Sequence, residues 1–328
     1  METAKGEMLI AAPARWDEAC FVLPAVRAVK AMGLVTGVLC AAEQADLWNA
    51  LPGVMVVPFE AKKSADSLRG NWEAAILWEA GNFADACKRA GIPRRIGPAE
   101  KRLAKLLTHP VEISSAPGPV RHRVTHYLSL VSQLGMPVDL PGLFLPVMAA
   151  APQTRTVMLV PDSDFGANHE WPLERWREIG GRMTGNGWTI AVAGLLGGRG
   201  LGQKLAVELA VEPRMFAAHL LGEAISIFAA HEKVVVADGS LSHLAAMSGT
   251  TCLTLFGPND PAWKRPLGRK HGVVRRHVEC APCLAARCAM DMRCQNELRA
   301  DAVWERFAAL QTADLVPTIF PCSNRTGG

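Results

Sequence analysis

The fold is decided by residues 234–261, which read VVVADGSLSHLAAMSGTTCLTLFGPNDP. An apolar strand at 234–237 ends at a polar turn, a helix of small residues follows at 241–248, and a second apolar strand follows at 252–256. Strand, helix and strand in this order are typical of a parallel α/β sheet with helices packed on its faces. The sequence on either side is therefore expected to supply further units of the same kind.

The same alternation extends along the chain. Predicted strands lie at 8–12, 35–40, 54–58, 74–77, 157–161 and 188–193. Predicted helices lie at 172–183, 203–211, 224–230 and 21–32, the last with Pro24 in its first turn. Between the two series, residues 140–154 contain three prolines and no periodic pattern, which indicates a linker.

We therefore predict an α/β protein with two Rossmann-like, doubly wound domains. The first takes residues 1–145, a linker takes 146–155, and the second takes 156–328. Ligands of such sheets bind at the carboxyl ends of the strands, so the two domains are expected to face each other across a cleft.

Composition and charge exclude several classes of protein. The chain has 328 residues, 49% of them hydrophobic, and a net charge of +4. This charge is too small to indicate nucleic-acid binding, and the basic runs at 88–105 and 121–123 are typical of solvated faces. Residues 1–19 lack the layout of a secretory signal, and no apolar run reaches the roughly 18 residues that cross a membrane. We expect a cytoplasmic protein in which five scattered cysteines stay reduced: Cys20, Cys40, Cys87, Cys252 and Cys322.

The turn at Asp238, Gly239 and Ser240 has the features of an anion site. The first N–H groups of the following helix lack intrahelical partners and point outward at the positive end of the helix dipole. Gly239 lets the backbone approach an anion, and Ser240 can add a hydroxyl donor. From these residues alone an ordinary capped turn is an equal alternative, and His243 is equally well explained as a packing residue.

The segment from Asp238 to Ala246, together with Gly249 and the Leu-Phe-Gly-Pro-Asn-Asp-Pro of 255–261, resembles the heptosyltransferases of glycosyltransferase family 9. That family has Asp-Thr-Gly-Leu-Ser-His, a helix of small residues and Phe-Gly-Pro-Thr-Asp-Pro in the same order. The resemblance implies a GT-B fold and a donor-binding segment made of Asp238, Gly239, Ser240, Leu241, Ser242 and His243. The order of Gly239 and Ser240 reverses the Thr-Gly of the family but keeps one flexible residue and one hydroxyl.

A second part of the implied donor site precedes the helix predicted at 172–183. In the family, a Lys two residues before Trp-Pro contacts the donor phosphate. This sequence has His169 at that position, preceded by Asn168. Because imidazole is only partly charged at neutral pH, donor binding is expected to be weaker or pH-dependent. A capped helix start with packing tryptophans explains the same residues.

The resemblance also implies a catalytic carboxylate after the first strand. The family places an Asp six residues before the Pro of the following helix, and counting back six from Pro24 gives Glu18. Asp17 has the family's residue type but is displaced by one position. Inverting glycosyl transfer needs such a base to take the proton of the acceptor hydroxyl. Either carboxylate could act, and both are also typical acids of a first helical turn.

The first domain is expected to hold an anionic acceptor. Arginine binds carboxylates and phosphates through its planar fork of N–H donors. The candidate contacts, in segments that resemble the family loosely, are Arg94, Arg95, Arg121 and His122.

Four cysteines form a dense loop at 280–294. Cys280, Cys283, Cys288 and Cys294 follow the spacing C-x2-C-x4-C-x5-C. A structural zinc ion or an iron–sulfur cluster, two disulfides, and free thiols all remain open. Some family members, particularly those of the heptosyltransferase II type, carry a similar loop. We expect catalysis to need no metal, because helix ends hold the diphosphate.

The resemblance implies an inverting glycosyltransferase that takes heptose from ADP-heptose to a lipopolysaccharide core at the inner membrane face. One alternative is a transferase for another nucleotide sugar on the same fold. Another is a binding protein without turnover, since His169, Gly239 and Ser240 depart from the family pattern.

Overall fold

The computed structural model describes residues 6–61, 64–113 and 119–310. These residues form two six-stranded sheets in which all neighbouring strands are parallel. The first sheet contains β1 (Gly6–Ala11), β2 (Thr36–Cys40), β3 (Met55–Pro58), β4 (Trp72–Ile76), β5 (Arg94–Pro98) and β6 (His109–Val111). The second contains β7 (Gln153–Val160), β8 (Thr189–Leu196), β9 (Pro213–Ala217), β10 (His231–Ala237), β11 (Thr251–Phe256) and β12 (Gly272–Arg275).

Twelve α-helices lie in the described residues. Those of the first half are α1 (Trp16–Lys30), α2 (Ala45–Asn49), α3 (Ser64–Leu68), α4 (Asn82–Arg89) and α5 (Val124–Gln133). Those of the second half are α6 (Leu173–Gly185), α7 (Leu201–Glu208), α8 (Ala224–Ala229), α9 (Ser240–Met247), α10 (Pro261–Lys264), α11 (Arg293–Asn296) and α12 (Ala300–Ala309).

Both sheets have the doubly wound strand order. The first runs β3-β2-β1-β4-β5-β6, and the second runs β12-β11-β10-β7-β8-β9, which is the same order counted from its own first strand. The predicted α/β class with two Rossmann-like sheets is confirmed. The order reverses between β1 and β4 and between β7 and β10, and ligands bind doubly wound sheets at such switch points. The helices that begin there are α1 and α9.

The first helix begins earlier than the sequence pattern predicts. Helix α1 starts at Trp16 rather than at residue 21, so Pro24 lies inside the helix and not in its first turn. Asp17 and Glu18 occupy that first turn, where negative charge is favoured by the helix dipole. The earlier start places both candidate carboxylates at the carboxyl end of β1.

Four of the twelve described strands were not predicted from the sequence: β5, β6, β9 and β12. One of them, β5, lies within a basic run. Residues 88–105 are typical of a solvated face, yet they contain β5, whose last three residues are buried. The predicted linker, residues 146–155, overlaps the second sheet in part, because β7 begins at Gln153. The domain boundaries stay a prediction.

A shared hydrophobic core joins the two sheets. Phe21 of α1 is fully buried in one cluster with Leu244 and Ala245 of α9. Its ring meets the edges of His243, at 4.7 Å between centroids, and His122, at 5.3 Å. Helix α1 therefore packs against the second domain as well as against its own sheet.

We expect Phe21→Ala to lower the free energy of unfolding by about 3–5 kcal/mol, because it leaves a cavity where the two domains meet. Phe21→Leu, which keeps most of the volume, is the control and is expected to cost much less. Urea unfolding followed by circular dichroism measures both. A loss below about 1 kcal/mol for the alanine variant would contradict a shared core.

Candidate functional site

Asp17 is the centre of a buried cluster of charges between the two domains. Its side chain is 0% exposed and accepts two hydrogen bonds, each of 3.0 Å, from the guanidinium of Arg15. Lys264 of α10, in the second domain, reaches across with its Nζ 2.7 Å from Asp17 Oδ2. The two charges are paired across the interface, as buried charges in proteins must be.

The charged neighbours of Asp17 keep it ionised. Burial raises the pKa of its carboxyl, but the hydrogen bonds from Arg15 and the positive charge of Lys264 outweigh burial and lower that pKa to about 2. Asp17 is therefore a fixed negative charge at neutral pH.

Glu18 faces the other way, towards α5. Its Oε2 accepts hydrogen bonds from Arg123 Nε at 2.8 Å and from the Tyr127 hydroxyl at 2.5 Å. Its Oε1 lies 3.5 Å from Lys264 Nζ. The side chain keeps 13% of its surface exposed, whereas that of Asp17 keeps none. Of the two candidate carboxylates, only Glu18 can be reached by a substrate in this arrangement.

A carboxylate already occupies the predicted anion position at α9. Asp164, in the loop after β7, accepts a hydrogen bond from the backbone N–H of Ser240 at 2.7 Å and one from its hydroxyl at 2.6 Å. The amino end of α9 is therefore satisfied by the protein's own anion. Burial raises the pKa of Asp164, against the hydrogen bonds from Ser240 that lower it.

The reversed order of Gly239 and Ser240 is explained by this contact. A Cβ at Gly239 would lie 2.8 Å from Asp164 Oδ1 and 3.0 Å from Ser163 Oγ. The backbone of Gly239 is extended, so the glycine is needed for space and not for a left-handed conformation. Glycine here admits the carboxylate, and the hydroxyl at the next position binds it.

The remaining donor candidates are buried and mostly hydrogen-bonded within the protein. Asp238 Oδ2 accepts from His169 Nδ1 at 2.9 Å and from Asn259 Nδ2 at 2.7 Å. The Ser242 hydroxyl donates to the Gly239 carbonyl at 2.8 Å, and Leu241 is 2% exposed. The structure thus brings the predicted donor residues together, but it turns the Nδ1 of His169 towards Asp238.

His243 lies next to Asp17 and has unused hydrogen-bonding capacity. Neither ring nitrogen has a partner among the described residues. Burial lowers the pKa of His243 to about 3, so the ring is neutral. The packing role considered for it is present, as its edge-to-face contact with Phe21 shows.

A cavity of about 470 Å³ lies at the carboxyl ends of β5 and β6, and its wall includes Arg123, the hydrogen-bond partner of Glu18. Its wall combines loop residues after these strands, the start of α5 and one residue of α10: Pro98, Ala99, Glu100, Glu112, Ile113, Pro119, Arg121, His122, Arg123, Thr125, His126, Ser129 and Trp263. Burial and the charge of Arg123 lower the pKa of His126 to about 4. The positive charge of this cavity therefore comes from its arginines.

The four acceptor candidates separate into two groups. Arg121 and His122 line the cavity, but both ring nitrogens of His122 are engaged: Nε2 donates to the Arg265 carbonyl at 2.8 Å, and Nδ1 accepts from the Val124 N–H at 3.2 Å. Arg94 and Arg95 lie at the start of β5, at the opposite end of the strand from the cavity. The Arg95 guanidinium donates to the carbonyls of Leu106 and Ile92, so it is used within the protein near the amino end of β5.

The cysteine loop packs directly on the donor segment. Asn168 Nδ2 donates to the Ala285 carbonyl at 2.7 Å, and the Leu284 N–H donates to the Pro258 carbonyl at 2.9 Å. Burial and the nearby Cys280, Cys288 and Cys283 raise the pKa of Cys294 to about 11. The loop therefore braces both the Asn168 loop and the turn after β11.

The four thiols of this loop are free in the structure. In the described part of the chain, no group of three or more His, Cys, Asp or Glu side chains is placed to hold a metal ion. In this arrangement they do not fit the zinc or cluster site that their spacing suggested. Cys322 lies outside the described residues.

Sequence reasoning missed Arg15, Arg123, Tyr127, Asp164 and Lys264. A signal existed only for Lys264: Asp260 caps α10 by accepting from the Ala262 N–H at 2.9 Å, and Pro261 occupies its first turn. Asp-Pro is a recognisable helix start, and it places Lys264 one turn later. Arg15 lies two residues before Asp17 but has no recognisable pattern. Arg123, Tyr127 and Asp164 become functional candidates only through contacts made across more than 70 residues of sequence.

The model of glycosyltransferase family 9 (heptosyltransferase) matches residues 68–293. The chain belongs to glycosyltransferase family 9. The match begins after β1 and α1, so it does not cover Asp17 and Glu18, whose roles rest on geometry.

Relatives of this family 9 chain are similar over part of its length. It is 35% identical to lipopolysaccharide heptosyltransferase 1 of Pseudomonas aeruginosa over 122 residues, 36% of this chain and 33% of that protein. It is 27% identical to lipopolysaccharide heptosyltransferase 2 of Escherichia coli over 120 residues, 35% of this chain and 34% of that protein. The chain thus spans about a third of the length of the curated relatives it matches.

Among solved structures, E. coli ADP-heptose LPS heptosyltransferase II matches with a TM-score of 0.74 at 19% identity, over 93% of this chain and 98% of that one. The GT-B fold implied by the sequence is confirmed. Within the described residues, no helix is both long and apolar enough to cross a membrane.

We expect Asp17→Asn to lower the free energy of unfolding at pH 7 by about 3–5 kcal/mol, because it leaves Lys264 buried without a full counter-charge. The low pKa of Asp17 stabilises the fold above roughly pH 4, and this contribution of about 2 kcal/mol is lost as the pH falls towards 2. The difference in stability between wild type and variant should therefore shrink over that range. Urea titrations at several pH values measure it, and a constant difference would contradict the ion pair.

Proposed function

We propose that this family 9 protein is an inverting glycosyltransferase that moves heptose from ADP-heptose to a lipopolysaccharide-core acceptor. The observation that carries the proposal is the meeting of two switch points. Lys264, which follows the second sheet, pairs with Asp17 and Glu18 of α1. Its ammonium also lies over the ring of Phe165, the residue next to Asp164, which binds Ser240 at the start of α9. The names of the relatives, lipopolysaccharide heptosyltransferases 1 and 2, supply the sugar and the acceptor.

We assign the base to Glu18. A base must touch the acceptor hydroxyl, and Glu18 is partly exposed beside a cavity whose wall contains its partner Arg123. The acceptor proton passes to the Glu18 carboxylate while the acceptor oxygen bonds to the anomeric carbon from the face opposite the diphosphate. The bond from that carbon to the phosphate oxygen breaks, and its electron pair leaves with ADP. Attack from the opposite face inverts the anomeric configuration.

Asp17 is then a positioning residue. It is fully buried and holds Arg15 and Lys264 by direct ion pairs. On the acceptor side we retain Arg121, which lines the cavity, over Arg94 and Arg95, which do not. Contact with the acceptor at the inner membrane face remains part of the proposal.

The reaction is tested by incubating the protein with ADP-heptose and a heptose-free lipopolysaccharide core. We expect ADP release and a mass increase of one heptose, with inversion visible by NMR of the new linkage. Glu18→Gln should lower kcat by about 10²–10⁴-fold, whereas Glu305→Gln, an exposed change on α12, should not.

Two results would contradict this proposal, and each would favour one of the alternatives. Turnover with another nucleotide sugar and none with ADP-heptose would favour the alternative donor. Binding of ADP without turnover across a panel of acceptors would favour a relative that has lost catalysis. We consider this alternative because His169, Gly239 and Ser240 depart from the family pattern.

We propose that the donor diphosphate binds the Ser240 donors that Asp164 now occupies, and that it therefore displaces Asp164 from the amino end of α9. We therefore expect Asp164→Asn to bind ADP several-fold more tightly than wild type at pH 7.5, since it removes a competing charge and keeps the side-chain shape. Calorimetric titration with ADP measures the change. Weaker binding by a folded variant would show that Asp164 supports the donor site and does not compete for it.

A further inference from the structure

Lys264 is the cation of the second domain that lies deepest in the charged cluster. Its side chain is 7% exposed, and its Nζ lies 2.7 Å from Asp17 and 3.5 Å from Glu18. The ammonium also lies over the rings of Trp263, at 4.8 Å, and Phe165, at 5.6 Å. A buried ammonium held by carboxylates and aromatic faces keeps its charge in place at the centre of the cleft.

His169, the residue at the family's phosphate-binding lysine position, is committed elsewhere. Its Nδ1 is bonded to Asp238, and its side chain is 6% exposed. Any positive charge on the ring is offset by that carboxylate. The donor site therefore needs a different cation to neutralise the diphosphate that departs.

Lys264 is close to the anion position. The Lys264 ammonium lies over the ring of Phe165, and Phe165 directly follows Asp164. The Asp164 carboxylate binds Ser240 at the start of α9. Arg15 lies over the same Phe165 ring at 5.2 Å. An anion that replaces the Asp164 carboxylate would thus enter next to two cations from opposite domains.

We propose that Lys264, and not His169, supplies the cation that contacts the donor diphosphate, and that Asp17 holds this ammonium ready before the donor binds. The inference rests on the proposed function and names a residue for it. An ammonium is a compact point charge that can turn from one oxygen to another, so Lys264 can exchange part of its contact with Asp17 for a phosphate oxygen. The same movement weakens its contact with Glu18 as the base comes into use.

The test measures binding of ADP and UDP to the full chain by calorimetry, with adenosine as a probe that lacks the diphosphate. Lys264→Gln should weaken binding of the diphosphate probes at least tenfold and leave adenosine unchanged. Lys264→Arg keeps the charge but replaces the compact ammonium with a larger planar group, so it should lose less affinity than Lys264→Gln. Lys88→Gln, an exposed lysine of α4, is the matched control and should change nothing.

A rescue experiment separates a direct contact from a general loss of structure. Lys264→Gln combined with His169→Lys returns a lysine to the family's position and should recover most of the diphosphate affinity. If Lys264→Gln does not fold, the double variant Asp17→Asn with Lys264→Met replaces it in the same binding measurements. This double variant removes both buried charges and keeps the apolar stem of the lysine.

Two failures can be told apart. If a folded Lys264→Gln variant binds a diphosphate probe as tightly as the wild type does, only the role of Lys264 is overturned. A wild-type protein that binds neither ADP nor UDP would overturn the proposed function, and the role of Lys264 with it.

Discussion

The ion pair between Lys264 and Asp17 is the constraint on which the arrangement of the site depends. Each side chain is almost wholly buried. Asp17 lies on α1, which follows a strand of the first sheet, and Lys264 lies on α10, which follows a strand of the second. An unpaired charge at this depth would cost several kcal/mol, so the two sheets are held in the one relative position that pairs them. Phe21 packs on α9 beside this pair, and hydrophobic burial and charge pairing therefore favour the same placement of the domains.

The second consequence of burying charge is that the protein supplies its own anion. The N–H groups at the start of α9 lack partners within the helix, and the Asp164 carboxylate accepts a hydrogen bond from that of Ser240. The absence of a side chain at Gly239 makes room for this contact, and Ser240 strengthens it. The amino end of α9 is thus stabilised by a carboxylate of the same domain, and any other anion that binds there must exchange with it.

Helix geometry explains why the two carboxylates of α1 have different surroundings. Adjacent residues on a helix point about 100° apart, so Asp17 turns to the second domain and Glu18 turns to α5. Glu18 is the one of the two that keeps part of its surface exposed, and it is also the positional match to the family pattern. The sequence left the two equal because both are acids of a first helical turn.

The sequence by itself determined the α/β class and the two sheets, because strand and helix periodicity are local properties. At the turn after Asp238 it left an anion site and an ordinary capped turn as equal alternatives. It placed eight of the twelve described strands within a few residues, but it missed β5, β6, β9 and β12. The arginines of β5 look like a solvated face. Only the tertiary structure decided that Asp164 fills the anion position, that His169 serves Asp238 and that Lys264 pairs with Asp17. These contacts join residues 69 to 247 positions apart, and no local pattern encodes which distant charges must be buried together.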